Sequence, residues 1–207
     1  MKILGIDTTR KKAIVFVLDT KDLSQKVVLE MGEDIKHSEG LFLYVEQAIE
    51  KSKIDLSEVD AFACVVGPGS FTGIRVGMST IKGLKVVGNK PVISLNVFES
   101  MKDIAKDSLI VLNSTSTACY YALVKNNKIS KAGVVEKFNI SSVANGLPVL
   151  CLKEEQDLIS SEYNNIRPVD NIAELIIKCV VDKLNNGDYG EFLPYYLQLS
   201  QAERSLK

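Results

Sequence analysis

Two stretches of this sequence carry residue types that suit phosphate binding. Asp7-Thr8-Thr9 follows a short apolar segment, and Gly67-Pro68-Gly69-Ser70-Phe71-Thr72-Gly73 follows a second one. A glycine-rich turn between a strand and a helix presents free N–H groups and the positive end of the helix dipole, both of which favour phosphate. The candidate phosphate-binding residues, predicted to be vestigial, are Asp7, Thr8, Thr9, Gly67, Gly69, Ser70 and Thr72.

Each of these features also has a purely structural interpretation. Asp7 and the threonines after it can stabilise a turn through bonds from side chain to backbone. Ser70 or Thr72 can cap the helix that follows, and small residues four apart, such as Gly73 and Gly77, let another helix pack closely. The sequence leaves the phosphate site and the structural turn open as alternatives.

Other catalytic groups are few. His37 is the only histidine, which excludes a metal centre built on paired histidines. A Ser-His-Asp triad would need His37, and nothing in the sequence fixes a nucleophile beside it. The four cysteines are far apart in apolar runs, so we expect reduced core residues rather than a disulfide framework; they are Cys64, Cys119, Cys151 and Cys179.

Composition narrows the possible partners. The 207 residues are 46% hydrophobic and 25% charged, with a net charge of -1 and no run of like charges. A protein that binds nucleic acid alone usually has a basic patch, so we expect any contact with nucleic acid to be shared with other proteins. No apolar stretch approaches membrane-spanning length, and Asp7 comes too early for a signal peptide. We therefore expect a cytoplasmic protein.

The elements predicted around these motifs begin with an antiparallel meander of three strands. Hydrophobic patterning predicts strands at 2–7, 13–18, 26–31, 61–66 and 90–95, and helices at 38–52, 72–87 and 97–106. The helices at 38–52 and 72–87 have more apolar surface than one sheet needs, which predicts a docking face for a partner. Two helices of another molecule would complete a four-helix bundle. The predicted docking residues are Leu41, Phe42, Val45, Ile49, Gly73, Gly77, Ile81 and Leu84.

The chain then nearly repeats itself. When the sequence is aligned with itself so that Asn113 matches Asp7, the same ungapped offset aligns residues 119–124 with 13–18 and residues 134–136 with 28–30. This echo predicts two copies of one supersecondary unit, in lobes 1–106 and 107–207. An amide at Asn113 neither ionises nor accepts a proton, so the sequence predicts only half a nucleotide site.

Beyond the repeat, the pattern predicts fewer elements. We expect a loop at 139–148, a strand at 149–152, a helix at 169–184 with Asp170 as its N-cap, and an aromatic tail at 192–197 that docks. The second lobe is therefore predicted to be reduced. Its final helix and tail are candidates for packing on the first lobe.

Four motifs carry a family resemblance. Residues 3–9 (ILGIDTT), 37–41 (HSEGL), 67–77 (GPGSFTGIRVG) and 194–197 (PYYL) resemble the corresponding blocks of the TsaB (YeaZ) family. That family is part of the actin/Hsp70/sugar-kinase superfamily and is paralogous to the TsaD (Kae1-like) proteins. The resemblance implies an α/β fold of two RNase H-like lobes with mixed sheets, the second lobe reduced.

The resemblance also implies a function. It indicates a non-catalytic scaffold or activating subunit that pairs with a TsaD-type subunit and a TsaE-type ATPase, for threonylcarbamoyladenosine modification of tRNA next to the anticodon. It implies no cofactor of its own, with ATP or ADP at the interface with the partner as an open alternative. It implies that tRNA is reached only through the complex. We expect a homodimer when the chain is alone, because a surface built for a paralogue often pairs with itself.

Two departures from the family pattern weaken nucleotide binding in the second lobe. Asn113-Ser114-Thr115 stands where an Asp-Ala-Arg-like segment is usual, and Gln198 where an arginine is common. The alternative function is a small actin-like ATPase or phosphotransferase that acts on its own, using Asp7, Thr8 and the 67–73 turn.

Overall fold

The structure is a computed structural model that describes residues 1–86, 88–160, 163 and 165–198. By its internal contacts the chain divides into two compact units. Unit 1 comprises residues 1–96 and 177–195, and unit 2 comprises 97–176 and the residues from 196 onward. The division after residue 96 precedes the expected lobe boundary at 106, and it assigns most of the last helix to unit 1.

Unit 1 contains a mixed five-stranded sheet with strand order β3-β2-β1-β4-β5. Its strands are β1 (Lys2–Asp7), β2 (Ile14–Asp19), β3 (Asp22–Glu30), β4 (Ala61–Val65) and β5 (Val92–Leu95). The first three form the predicted antiparallel meander, and β1, β4 and β5 are parallel. Parallel neighbours need long crossovers, which are α1 (His37–Ser52) and α2 (Phe71–Val86). Val87, the predicted end of α2, lies outside the described residues.

Unit 2 contains a second mixed sheet, with strand order β10-β9-β6-β7-β8. Its strands are β6 (Ser108–Asn113), β7 (Ala118–Lys125), β8 (Lys128–Glu136), β9 (Val149–Leu152) and β10 (Ile166–Val169). Its helices are α3 (Val97–Met101), α4 (Ile140–Ala144) and α5 (Gln156–Ser160). Helix α6 (Ile172–Asn185) crosses the division between the two units.

The two sheets repeat one topology, which confirms the predicted α/β fold of two RNase H-like lobes. The same interval of 106 residues separates β1 from β6 and β3 from β8 at both ends of each strand. The second lobe has all five strands, so its reduction lies in its helices. Helices α4 and α5 have 5 residues each, whereas α1 and α2 have 16 each.

Four details of the prediction beyond residue 96 were wrong. Residues 139–148 include helix α4 rather than only a loop, and the helix predicted at 97–106 ends at Met101. Strand β10 was missed because Pro168 interrupts its pattern, and an edge strand tolerates proline. Asp170 is not the N-cap of α6, because the helix begins at Ile172 and the side-chain Oδ1 of Asn171 accepts the N–H of Glu174 at 3.4 Å, whereas the Asp170 carboxylate pairs with Lys153 at 3.0 Å. The backbone carbonyl of Asn171 also accepts the N–H of Glu174, at 3.0 Å.

Candidate functional site

The turn after β1 holds a fully buried carboxylate. Oδ1 of Asp7 accepts hydrogen bonds from the backbone N–H of Thr9 at 2.9 Å and from its hydroxyl at 2.7 Å. The Arg10 guanidinium lies 2.8 Å from Oδ2 as an ion pair without hydrogen-bond geometry. Thr9 therefore satisfies Oδ1 and Arg10 neutralises the charge, while Oδ2 has no hydrogen-bond partner among the described residues; these contacts favour the structural interpretation of this motif.

The glycine-rich turn packs directly against this first turn. The N–H of Ser70 donates to the carbonyl of Thr9 at 2.7 Å, and the hydroxyl of Thr8 donates to the carbonyl of Gly73 at 2.7 Å. The Ser70 hydroxyl accepts the N–H of Gly73 at 3.2 Å, so Ser70 caps α2. The glycine-rich backbone is thus approached closely by the Thr8-Thr9 turn of the same unit.

Three glycines make this contact possible because each leaves room for Thr8 or Thr9. A Cβ on Gly69 would lie 2.1 Å from the Thr9 carbonyl oxygen, and one on Gly73 would lie 2.0 Å from the Thr8 carbonyl oxygen. A Cβ on Gly77 would lie 2.3 Å from the Thr8 hydroxyl. Gly73 and Gly77 therefore do not serve as a crevice for a partner helix, and this part of the docking prediction is wrong.

The predicted docking set needs a further correction. Five of its eight residues are buried within their own unit; they are Leu41, Val45, Gly73, Gly77 and Ile81. The apolar periodicity picked out the helix faces that pack on the chain's own sheet. Ile49 and Leu84 are half-buried, and Phe42 is 60% exposed. Phe42 is thus the predicted docking residue that is most available to a partner.

A groove of about 490 Å³ runs between α1 and the start of α2. Its apolar lining comes from Leu41, Phe42, Phe71 and Val76. The Arg75 guanidinium lies 4.0 Å from the centre of the Phe71 ring. The other lining residues are polar; they are His37, Ser38, Thr72, Arg75, Ser79 and Thr80.

His37 is placed by a backbone contact rather than beside a nucleophile. Its Nε2 lies 2.9 Å from the carbonyl oxygen of Lys11, which agrees with the structural interpretation of a histidine at a helix start. Among the described residues, no cluster of His, Cys, Asp and Glu could hold a metal ion. In the same part of the chain, no helix is both long enough and apolar enough to cross a bilayer.

The segment after α6 forms a strap across unit 1. The carbonyl of Tyr189 accepts the N–H of Ser94 at 2.7 Å, and the N–H of Tyr195 donates to the carbonyl of Val66 at 2.8 Å. Sequence patterning predicted that an aromatic tail docks, and these bonds show its place. The strap lies against Gly67, where a Cβ would come within 2.4 Å of the Tyr195 carbonyl oxygen.

The corresponding turn in unit 2 has no carboxylate on its own strand end. The N–H of Asn113 donates to Oε2 of Glu155 at 2.7 Å, and the buried Oδ1 of Asn113 has no hydrogen-bond partner among the described residues. The N–H groups of Ser114 and Thr115 both donate to the carbonyl of Ala118. Asn113 therefore sits at the end of β6, as Asp7 does at the end of β1, without the charge that Asp7 carries.

The cysteines are placed as inert thiols. Cys64, Cys119 and Cys151 are buried and Cys179 is half-buried, and none of the four forms a disulfide. Burial raises the pKa of Cys119 to about 11 and that of Cys151 to about 12. Burial, with the nearby negative charge of Asp7, also raises the pKa of Cys64 well above its ordinary value. Such thiols stay protonated at neutral pH, which makes them poor nucleophiles.

The comparisons with known proteins fall into two groups. The family model of TsaD, tRNA N6-adenosine threonylcarbamoyltransferase, matches residues 33–132. The protein of that name from Thermodesulfovibrio yellowstonii is 29% identical over 112 residues, which are 48% of this chain and 34% of the relative. The one from Ehrlichia ruminantium is 36% identical over 90 residues, which are 41% of this chain and 26% of the relative. The chain thus spans at most about a third of the length of these relatives.

Two solved structures match nearly the whole fold. YeaZ from Pseudomonas aeruginosa superposes with a TM-score of 0.71 at 17% identity, covering 95% of this chain and 99% of that one. A Pseudomonas aeruginosa protein described as uncharacterized, with similarity to peptidase YEAZ, gives 0.73 at 16% identity with the same coverage. Together with the TsaD matches, these findings confirm the predicted resemblance to the TsaB (YeaZ) family and its TsaD paralogues.

Proposed function

We propose that this chain, a relative of the TsaD family with the fold of YeaZ, is a TsaB-type subunit that pairs with a TsaD-type subunit. In this proposal the pair carries out threonylcarbamoyladenosine modification of tRNA next to the anticodon. The observation that carries the proposal is the groove between α1 and α2, with the exposed Phe42 at its side. The stretch that matches the TsaD model, residues 33–132, contains both helices.

The proposed role of this chain is structural support for a catalytic partner. Support comes from the Asp7 turn, where Thr9 and Arg10 already engage the carboxylate that a self-sufficient phosphotransferase would use. Thr8 and Thr9 fill the space beside the glycines that a phosphate would need. ATP turnover by the purified chain that is lost in Asp7→Ala would favour the enzyme alternative.

The remaining parts of the proposal follow from this pairing. A TsaE-type ATPase joins the two subunits, the free chain forms a homodimer, and the assembly works in the cytoplasm. The chain holds no cofactor of its own, and any ATP or ADP binds at the joint interface. Docking through α1 and α2 holds the partner in its active arrangement. An aromatic residue that fills a pocket on a partner is the residue type that dominates binding energy at interfaces, and Phe42 fits that description.

The test compares two substitutions of exposed phenylalanines. Phe42→Asp places a charge beside the groove, whereas Phe138→Asp makes the same change in unit 2 at a side chain that is 69% exposed. We expect Phe42→Asp to lower the affinity for the TsaD-type subunit at least about tenfold, since a buried unpaired charge at an interface costs more than 1.4 kcal/mol. Phe138→Asp should bind normally. Binding is measured by co-purification and calorimetry, and modified nucleoside by mass spectrometry of tRNA.

Circular dichroism of both variants establishes that they fold. If folded Phe42→Asp binds the TsaD-type subunit and supports modification as well as Phe138→Asp does, the docking proposal is wrong.

A further inference from the structure

Lysines from separate parts of the sequence meet at one end of the sheet in unit 2. Strands β7 and β8 are joined by Asn126-Asn127, both in the left-handed region with φ of 50° and 58°, as a type I′ hairpin turn requires. Lys125 and Lys128 lie directly opposite each other beside this turn, and Lys131 lies opposite Leu123. Leu123 and Lys125 are two residues apart on β7, and a register shift between Leu123 and Val124 brings Lys131, three residues after Lys128, to the face that the other two lysines share.

A fourth lysine reaches the same end of the sheet. The carbonyl of Lys106 accepts the N–H of Asn127 at 2.9 Å. We call Lys106, Lys125, Lys128 and Lys131 the hairpin lysine patch. All four are exposed, and within the described part of the chain none of them forms an ion pair.

The nearby carboxylates are engaged by the turn itself. Oδ1 of Asp107 accepts the N–H of Asn126 at 3.0 Å, and Oδ1 of Asp103 accepts the side-chain amide of Asn127 at 3.3 Å. Two carboxylates stand against four lysines, so the hairpin end carries an excess of positive charge. Like charges placed directly opposite on paired strands repel, so an anion bound between these lysines would reduce their repulsion.

We propose that the hairpin lysine patch binds the phosphate backbone of RNA. Lysine is a point-charge ligand for phosphate, and the side-chain amide of Asn126 adds a donor of the kind that contacts phosphate and sugar. The choice of RNA as the polyanion rests on the proposed function, which brings tRNA to this chain. The attraction of the patch to a polyanion follows from its charge and does not depend on that function. Four lysines neutralise too few phosphates for tight binding alone, so the patch adds affinity to a site shared with the partner.

The test measures tRNA binding by fluorescence anisotropy as a function of salt, using the chain bound to its TsaD-type partner. The variant Lys125→Gln, Lys128→Gln, Lys131→Gln removes three charges from the hairpin. Its matched control, Lys12→Gln, Lys21→Gln, Lys53→Gln, removes three exposed, unpaired charges from unit 1. Each lost phosphate contact lowers the slope of log K against log salt by about 0.7–0.9. We therefore expect the slope to fall by about 2–3 for the hairpin variant and to stay unchanged for the control.

Three outcomes are informative. Equal slopes for the hairpin variant and the control would overturn the proposal and leave the lysines as protection of an exposed edge strand. Loss of binding to phosphatidylserine vesicles without loss of binding to tRNA would also overturn it, in favour of a membrane surface. Normal pairing of both variants with the TsaD-type subunit shows that a failure here is separate from a failure of the proposed function.

Discussion

Gly77 and Gly83 occupy one helix but have opposite surroundings. A Cβ on Gly77 would lie 2.3 Å from the Thr8 hydroxyl, which is held by its own bond to Gly73. A Cβ on Gly83 would meet nothing within 4 Å. We expect Gly77→Ala to destabilise the fold by about 1–3 kcal/mol through overpacking. Gly83→Ala should stabilise it by about 0.5–1 kcal/mol through helix propensity. Urea unfolding of the free chain measures both.

This pair also corrects a sequence-based hypothesis about Gly77. If Gly77 faced a partner, Gly77→Leu would abolish pairing and leave the free chain folded. The contact with Thr8 indicates instead that a larger side chain disturbs unit 1 itself. A Gly77→Ala variant as stable as the unchanged chain would show that the Thr8 contact is not a constraint on folding.

The sequence leaves two interpretations of Asp7 open, and the burial of its neighbours in the structure favours the structural one. The pattern of a strand followed by Asp-Thr-Thr fits a phosphate site and a self-satisfied turn equally well. What separates them is the position of the Arg10 side chain, which ion-pairs with Asp7 and is itself only 12% exposed. An Asp and an Arg three residues apart in a turn are a weak local signal, because their pairing depends on how the surrounding elements bury them.

The strap after α6 is the segment whose place in the fold the sequence patterning predicted least. The N–H of Ser94 donates a hydrogen bond to the Tyr189 carbonyl of the strap, so the strap covers part of the outer edge of β5. Exposed strand edges promote aggregation, and proteins commonly cover them. Gly190, with φ of 64°, lies on this strap, and a Cβ there would come within 2.5 Å of the Ser94 carbonyl oxygen. Gly187, with φ of 66°, lies just after α6, where a Cβ would meet nothing within 4 Å.

These two glycines therefore form a matched pair for testing the strap. Alanine at either position has the cost of a left-handed backbone, about 1–2 kcal/mol. Only Gly190→Ala adds a collision with the β5 backbone, so it should lose about 1–3 kcal/mol more. Urea unfolding gives the difference between the variants. Equal stabilities would mean that the strap moves away from β5 without cost.

For helices α1 and α2, hydrophobic periodicity predicted where each helix begins and ends better than it predicted which of its side chains are exposed. The predicted bounds of α1 and α2 agree with the structure to within one residue wherever residues are described. The side that faces a partner was predicted wrongly, because an apolar stripe marks burial and does not say what covers it. In α2, Ile81 and Met78 are buried by the chain's own fold, whereas Val86 is 84% exposed.

At the scale of the whole molecule, duplication was predictable and the charge distribution was not. The repeat at an interval of 106 residues is visible in the order of strands and turns because β6 and β8 keep the lengths of β1 and β3, although β7 has 8 residues where β2 has 6. The hairpin lysine patch draws Lys106 from the segment before β6 and the other three from β7 and β8. No run of like charges marks it in the sequence, since the strand pairing of the second copy brings these residues together.

The docking face and the lysine patch lie in different units, which permits a test of how they depend on each other. Phe42→Asp should reduce tRNA modification to background, because the catalytic partner is no longer held. The triple lysine variant should slow modification several-fold at low tRNA concentration and little at saturating tRNA, since it weakens binding and leaves the pairing intact. Combining both changes should give the same result as Phe42→Asp alone, as measured by nucleoside mass spectrometry. If the triple lysine variant slows modification equally at low and at saturating tRNA, or weakens pairing with the TsaD-type subunit, the patch does not act through tRNA binding and the order of dependence proposed here is wrong.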